Sequence, residues 1–279
     1  MNAVRAEWYR LWRRRSPWGL LMASVACVFG YYVLTWASAA AASLAVSRGA
    51  PQPAGPGPGA LVDALGLARF GTTGLDVAAS LATLALIAVA SSLVGSEYGW
   101  GTLRLIVPRL GGRAAFVAAK FAVLAAFASL TVAACVEAAL LASVLVTFVA
   151  DLPRPAAAAL ATAVVVGALR TLVAVAPYAA IALAATFLSR STAVGLAIGL
   201  AVFLLEGVAT AIAGALLGVP LVADLGIARN VHVVMRATPG DDVRIPGFDA
   251  PLALAILAAY ACGALFLAIS VFRRRDLVA

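Results

Sequence analysis

Long apolar runs separated by short polar breaks dominate the chain. The runs cover about 18–42, 76–95, 114–150, 156–188, 193–217 and 251–272. An α-helix needs about 20 apolar residues to cross a bilayer core roughly 30 Å thick, and each run has enough. Lipid offers no hydrogen bonds to a bare backbone, so the runs must satisfy their own peptide groups as helices. The pattern predicts an all-α, polytopic integral membrane protein, one transmembrane domain over residues 1–279 with six spans. The third run exceeds what a perpendicular crossing needs, which implies tilt or projection beyond the lipid. Pro177 falls inside the fourth and predicts a kink there.

Residues 1–17 follow a different pattern. Val4, Trp8, Leu11 and Trp12 share one helical face, and Arg5, Arg10, Arg13 and Arg14 lie mostly elsewhere. This reads as an amphipathic helix in the membrane interface, its arginines toward lipid phosphates. The alternative is a plain basic tail. Ser16 and Pro17 break the pattern before the first span. That span is longer than the core of about 7–15 residues in a secretory signal, so it reads as a retained helix.

The connections are short or breaker-rich. Residues 48–60 are rich in Pro and Gly and predict a loop, followed by a short amphipathic piece over Leu61–Phe70. Ser96–Arg113 is polar, Asp151–Pro155 is a tight turn, and Ser189–Ser191 is another short connection. Residues 219–250 are mixed, with prolines and several charges. No internal repeat is visible.

Composition supports the same class. Of 279 residues, 64% are hydrophobic and 11% charged, and the mean hydropathy is +1.05, against about 25% charged residues in soluble domains. The net charge is +8. Because basic residues flank the apolar runs, they read as topology signals and not as a nucleic-acid surface. With both termini on one side, that side carries 13 basic residues and the other 6, with Arg170 inside a span. The positive-inside rule then puts both termini in the cytoplasm and the 43–75 and 219–250 loops outside. Nearly all the basic residues are Arg and Ala is abundant. That composition points to a GC-rich bacterial genome and so to a bacterial cytoplasmic membrane.

Candidate chemistry is sparse. Cys27, Cys135 and Cys262 lie in apolar runs without metal-ligand spacing and read as small buried packing residues. His232 is the single histidine, in the outer loop, and reads as a surface residue. No catalytic, cofactor-binding or metal site is expected. Glu137, Arg170 and Glu206 sit deep in apolar runs, where an unpaired charge costs about 2.5 kcal/mol or more. From the cytoplasmic ends they lie about 25, 27 and 20 Å deep at 1.5 Å per residue. They form a candidate polar cluster, with Arg170 paired to Glu137 or Glu206. The cluster is either a static pair that fixes packing or a polar patch on a substrate route. Gly195 and Gly199, and Gly214 and Gly218, have the G-x-x-x-G spacing. They suit close helix packing, in a dimer or within the chain.

The predicted cytoplasmic segment Glu97–Lys120 is the most informative. It combines Glu97, Tyr98, Gly101, Thr102, Leu103, Arg104, Pro108, Arg109, Arg113 and Lys120. Its shape suits a short helix, about Thr102–Val107, able to dock a soluble partner; the plain alternative is a solvated connector. Together with the basic N-terminal helix, the six spans and the ending Phe272–Asp276, this pattern resembles the permease subunits of ABC type-2 transporters. The resemblance covers nearly the whole chain. It implies that residues around Tyr98–Arg109 form a coupling helix that contacts an ATPase. It also implies that 219–250 corresponds to an outer re-entrant or capping region.

There is no G-x-x-x-x-G-K-[ST] loop, and Lys120 is the single lysine. ATP and Mg would therefore be bound by a separate cytoplasmic ATPase subunit, in two copies, and this chain would carry no cofactor. The expected partners are that ATPase, membrane lipids and a second permease as homodimer or heterodimer. The expected activity is export or flipping of a hydrophobic or amphiphilic compound. The rival readings are an ion-coupled secondary transporter using Glu137, Arg170 and Glu206, and a membrane scaffold or sensor.

Overall fold

In a computed structural model of the chain, residues 3–49, 51, 55–103, 107, 112–217, 224–236 and 250–274 are described. They are helical almost throughout, with no strand among them. The elements are α1 (Ala3–Arg13), α2 (Arg15–Ser47), α3 (Pro58–Leu65), α4 (Leu75–Gly99), α5 (Arg113–Val149), α6 (Ala157–Ser189), α7 (Thr192–Leu217), α8 (Ile227–Arg236) and α9 (Ala250–Arg274). A 3-10 turn (Leu67–Arg69) and a π turn (Phe70–Gly74) lead into α4. Six helices are long and apolar enough to cross a membrane. The protein is a multi-pass membrane protein.

Its surface agrees with that class. Leu34, Phe266 and Leu216 are 72%, 73% and 81% exposed. In water such side chains would form the apolar patches that soluble monomers avoid; in lipid they are solvated. Helix ends follow the apolar runs, with α2 and α4 running on to Ser47 and Gly99 and with two further differences. The break before the first span falls at Arg14, and Pro17 sits in the first turn of α2, where a missing N–H removes no intrahelical bond. The second span is longer than expected, since the turns after Leu67 extend it to 33 residues.

The chain divides into two compact units. One contains residues 1–20, 83–130 and 172–279. Here Phe116 of α5 stacks on Phe272 of α9 with centroids 5.5 Å apart, and Phe187 of α6 meets both. Close approach of α4, α6 and α7 requires small residues. A Cβ on Gly195 would collide with Thr186, and one on Gly199 would lie 2.6 Å from Ile87. These two glycines serve packing within the chain. Gly214 lies in α7, and Gly218 is outside the described residues.

The other unit contains residues 21–82 and 131–171. The Tyr32 hydroxyl of α2 shares a 2.9 Å hydrogen bond with Ser143 of α5. The buried Cys135 thiol lies 3.5 Å from the Ser24 hydroxyl. Cys27 and Cys262, expected to be buried, are exposed. Where α3 stops, the Leu67 N–H donates to Thr147 at 2.9 Å, which satisfies a peptide group that lipid could not. Pro177 lies inside α6, which continues through it.

Gly95 and Gly99 give a paired test at the end of α4. A Cβ on Gly95 would sit 2.7 Å from the Thr192 backbone, whereas one on Gly99 would meet nothing within 4 Å. Gly95→Ala should destabilise the protein by about 1–3 kcal/mol through overpacking. Gly99→Ala should be neutral or stabilising by up to about 1 kcal/mol. Thermal unfolding in nanodiscs compares the two.

Candidate functional site

Three polar features stand out in an apolar molecule. The first lies where α1, the end of α4 and the start of α5 converge. A helix turns about 100° per residue, so α1 presents three sides. Ala6, Glu7 and Leu11 face protein and are buried. Val4, Trp8 and Trp12 form an aromatic side, and Arg5, Tyr9 and Arg13 a basic side. Leu11 therefore belongs with Glu7 in the protein contact, not with the tryptophans, as the periodicity of the apolar residues implied. The aromatic side continues inward. Trp12 meets Trp18 edge-on at 4.5 Å, and Trp18 meets Phe127 at 6.2 Å.

Glu7 reaches a cluster of charges. The Lys120 ammonium, 1% exposed, donates to Glu7 Oε2 at 2.6 Å, to Glu97 Oε1 at 2.5 Å and to the Leu93 carbonyl at 3.1 Å. Its three N–H donors are thereby all engaged. Glu7 and Glu97 are 2% and 1% exposed. Arg10 donates to Glu7 Oε1 at 2.6 Å. The Arg14 guanidinium lies 3.6 Å from Glu97 Oε1 and donates to the Ser96 hydroxyl at 2.9 Å. Glu97 Oε2 is buried with no partner among the described residues. Two carboxylates thus face three cations. Buried charges of this kind survive only when paired and hydrogen-bonded.

Beyond Glu97 the chain turns outward. The Gly101 N–H bonds the Tyr98 carbonyl and the Thr102 N–H bonds the Glu97 carbonyl, both at 3.2 Å. Gly101 has φ +65°. This is a Schellman stop, which requires a left-handed residue and favours Gly. Trp100, at 69% exposure, projects from the turn, with Arg14 5.6 Å above its ring. Leu103 and Val107 are buried. Arg104, Pro108 and Arg109 lie outside the described residues. Of the residues expected to meet a soluble partner, Glu97 is turned inward as an anchor, because it neutralises Lys120.

The second feature involves Glu206, in the middle of α7. Its two oxygens accept from the Ile227 and Ala228 N–H groups at 2.7 and 2.9 Å. These are orphan donors at the start of α8, where a carboxylate also suits the helix dipole. Asn230, fully buried, donates to the Asp224 and Gly226 carbonyls. Tyr260 donates to the Leu225 carbonyl at 3.1 Å. The mixed composition of 219–250 conceals α8. The apolar positions Ile227, Val231 and Val234 have helical spacing and could have revealed it. His232 is exposed on this helix. Beside it, an open apolar groove of about 720 Å³ is lined by Ile181, Ala185, Ile198, Leu225, Tyr260 and Leu267.

The third feature is the pair of remaining intramembrane charges. Glu137 is exposed on α5 and Arg170 is half-buried on α6. Neither has an ion-pair or hydrogen-bond partner among the described residues. Within their unit, the expected pairing of Arg170 with Glu137 is therefore not made. Glu206 is committed to the α8 backbone, and Glu137 faces out of its unit.

The spans and this charge cluster define a polytopic helical membrane protein with a keyed N-terminal helix. Residues 57–278 match the model of the family described as "Protein of unknown function (DUF2705)", and the chain belongs to that family. The match includes Glu97, Lys120 and Glu206, while Glu7 lies ahead of it. No curated protein matches.

Two outcomes follow from these contacts. A guanidinium is planar and larger than the ammonium that fits between three acceptors. Lys120→Arg should therefore cost about 1–3 kcal/mol in unfolding free energy, read by thermal unfolding in nanodiscs. Removing the Glu206 carboxylate deletes charge-assisted bonds worth about 1.5–3 kcal/mol. In Glu206→Leu, the α8 amides should exchange hydrogen more than tenfold faster, with the α5 amides unchanged.

Proposed function

We propose that this chain is the permease subunit of an ATP-binding-cassette exporter in a bacterial cytoplasmic membrane, with both termini in the cytoplasm. A separate ATPase, in two copies, supplies the energy. The observation that carries the reading is the corner built around Lys120. Glu7 on α1, Glu97 on α4 and Lys120 on α5 are joined by bonds of 2.5–2.6 Å beside the exposed Trp100. A push on the Trp100 turn would reach two spans and the interfacial helix together, because buried charge pairs cannot slide apart cheaply. The permease resemblance assigns its ATPase contact to the same stretch.

Tyr98, Gly101 and Thr102, with Arg104, Pro108 and Arg109, make the docking segment in this reading, and Glu97 and the buried Leu103 hold it from behind. Transport proceeds by alternating access, the spans tilting as the ATPases close. The apolar groove of about 720 Å³ supports a hydrophobic or amphiphilic substrate, since pockets of about 300–1,000 Å³ hold drug-sized ligands.

Purification from native membranes tests the proposal. It expects an ATPase recovered in stoichiometric amount. Trp100→Glu should lower that recovery at least tenfold and leave the unfolding temperature unchanged. Recovery of the chain alone, with proton-driven transport in vesicles, would overturn the proposal in favour of an ion-coupled transporter.

A further inference from the structure

Glu137 is the only charge between Phe121 and Ala150, and Arg170 the only one between Ala156 and Ser189. Glu137 precedes the end of α5 by 12 residues and Arg170 follows the start of α6 by 13. At 1.5 Å per residue, both lie about 18–20 Å from the turn that joins the two helices. Opposite charges therefore sit at matching depth within one unit.

Both open onto apolar surface. Along α5, Leu141, Leu145 and Phe148 are 57–60% exposed around Glu137. On α6, Val165 and Leu169 are each 61% exposed beside Arg170. Lipid tails supply neither counter-ion nor donor, and a glutamate side chain is too short to snorkel from that depth. Nothing described within their unit pairs with either group.

We infer that these exposed sides of α5 and α6 bind a second copy of the same chain, with Glu137 of each copy paired to Arg170 of the other. Membrane insertion gives both copies the same orientation, so their two-fold axis runs along the membrane normal. Rotation about that axis preserves depth. Only groups at equal depth can then meet, and opposite charges at equal depth form two reciprocal pairs in a closed, isologous interface. Charge complementarity thus selects a second copy over an unrelated apolar helix, which would leave both charges unpaired. The interface uses α5 and α6; Gly195 and Gly199 of α7 are already occupied within the chain. The inference does not depend on an ATPase, so its failure and that of the exporter proposal are distinguishable.

Complementation in trans tests it. Full-length copies carrying two different tags are co-expressed and recovered from membranes in mild detergent. Wild-type copies should recover each other. Glu137→Arg copies, and separately Arg170→Glu copies, should lose self-recovery at least tenfold. A Glu137→Arg copy with an Arg170→Glu copy should regain it, because both reciprocal pairs are rebuilt. Unchanged self-recovery of the single variants, or no regain by well-behaved proteins, overturns the inference.

A second arm covers variants that fail to insert. One tagged copy carries Glu137→Cys and the other Arg170→Cys, with the native cysteines replaced by alanine. A short bis-methanethiosulfonate should link the two tags in membranes. Absence of that product, while each cysteine accepts a monofunctional reagent, overturns the inference. So does a cross-link to a different membrane chain.

Discussion

A single ammonium group holds the N-terminal part of this protein in register. Lys120 lies between Glu7 and Glu97 with all three of its donors used. Remove it and two carboxylates remain in a site closed to water, a situation that costs several kcal/mol. The arrangement explains why α1 carries one glutamate among three arginines. Glu7 points inward, and the aromatic and basic residues take the other sides of the helix. It also explains the form of the α4 terminus. The Schellman stop at Gly101 ends the helix immediately after the anchor, so Trp100 projects while Glu97 stays fixed.

The same logic recurs in weaker form elsewhere. Glu206 spends its charge on the first N–H groups of α8, which ties a short amphipathic helix to the middle of a long apolar one. Thr147 and Ser143 satisfy polar groups in the second unit. In each case a polar side chain inside an apolar region closes a specific hydrogen bond, as a low-dielectric setting demands. Among the described residues, Glu137, Arg170 and the buried Thr171 hydroxyl are exceptions.

The spans were legible because lipid imposes a simple rule. An apolar run that long has one structural solution, and α5 and α6 begin and end within about two residues of their runs. The first break was misplaced because Pro17 reads as a stop, although proline is compatible with the first turn of a helix. The site was harder. Glu97 and Lys120 stood out in sequence, but Glu7 did not, since a glutamate in a basic amphipathic segment reads as surface. Its inward turn depends on a tertiary partner 113 residues away. Two signals were present: one lysine in a chain otherwise dense in arginine, and one acid in an arginine-rich helix. For Glu137, Arg170 and Glu206, equal depth suggested pairing, but depth says nothing about helix face. Glu206 finds backbone donors in α8, whose helical period is carried by Ile227, Val231 and Val234.

A double-mutant cycle on Glu7→Gln and Lys120→Met, read by thermal unfolding in nanodiscs, tests the account most directly. If the buried pair anchors α1, the double variant will be no less stable than Lys120→Met alone, and the coupling will exceed about 1 kcal/mol. Additive effects within about 0.3–0.5 kcal/mol would mean the two side chains act independently, and the anchor would not exist.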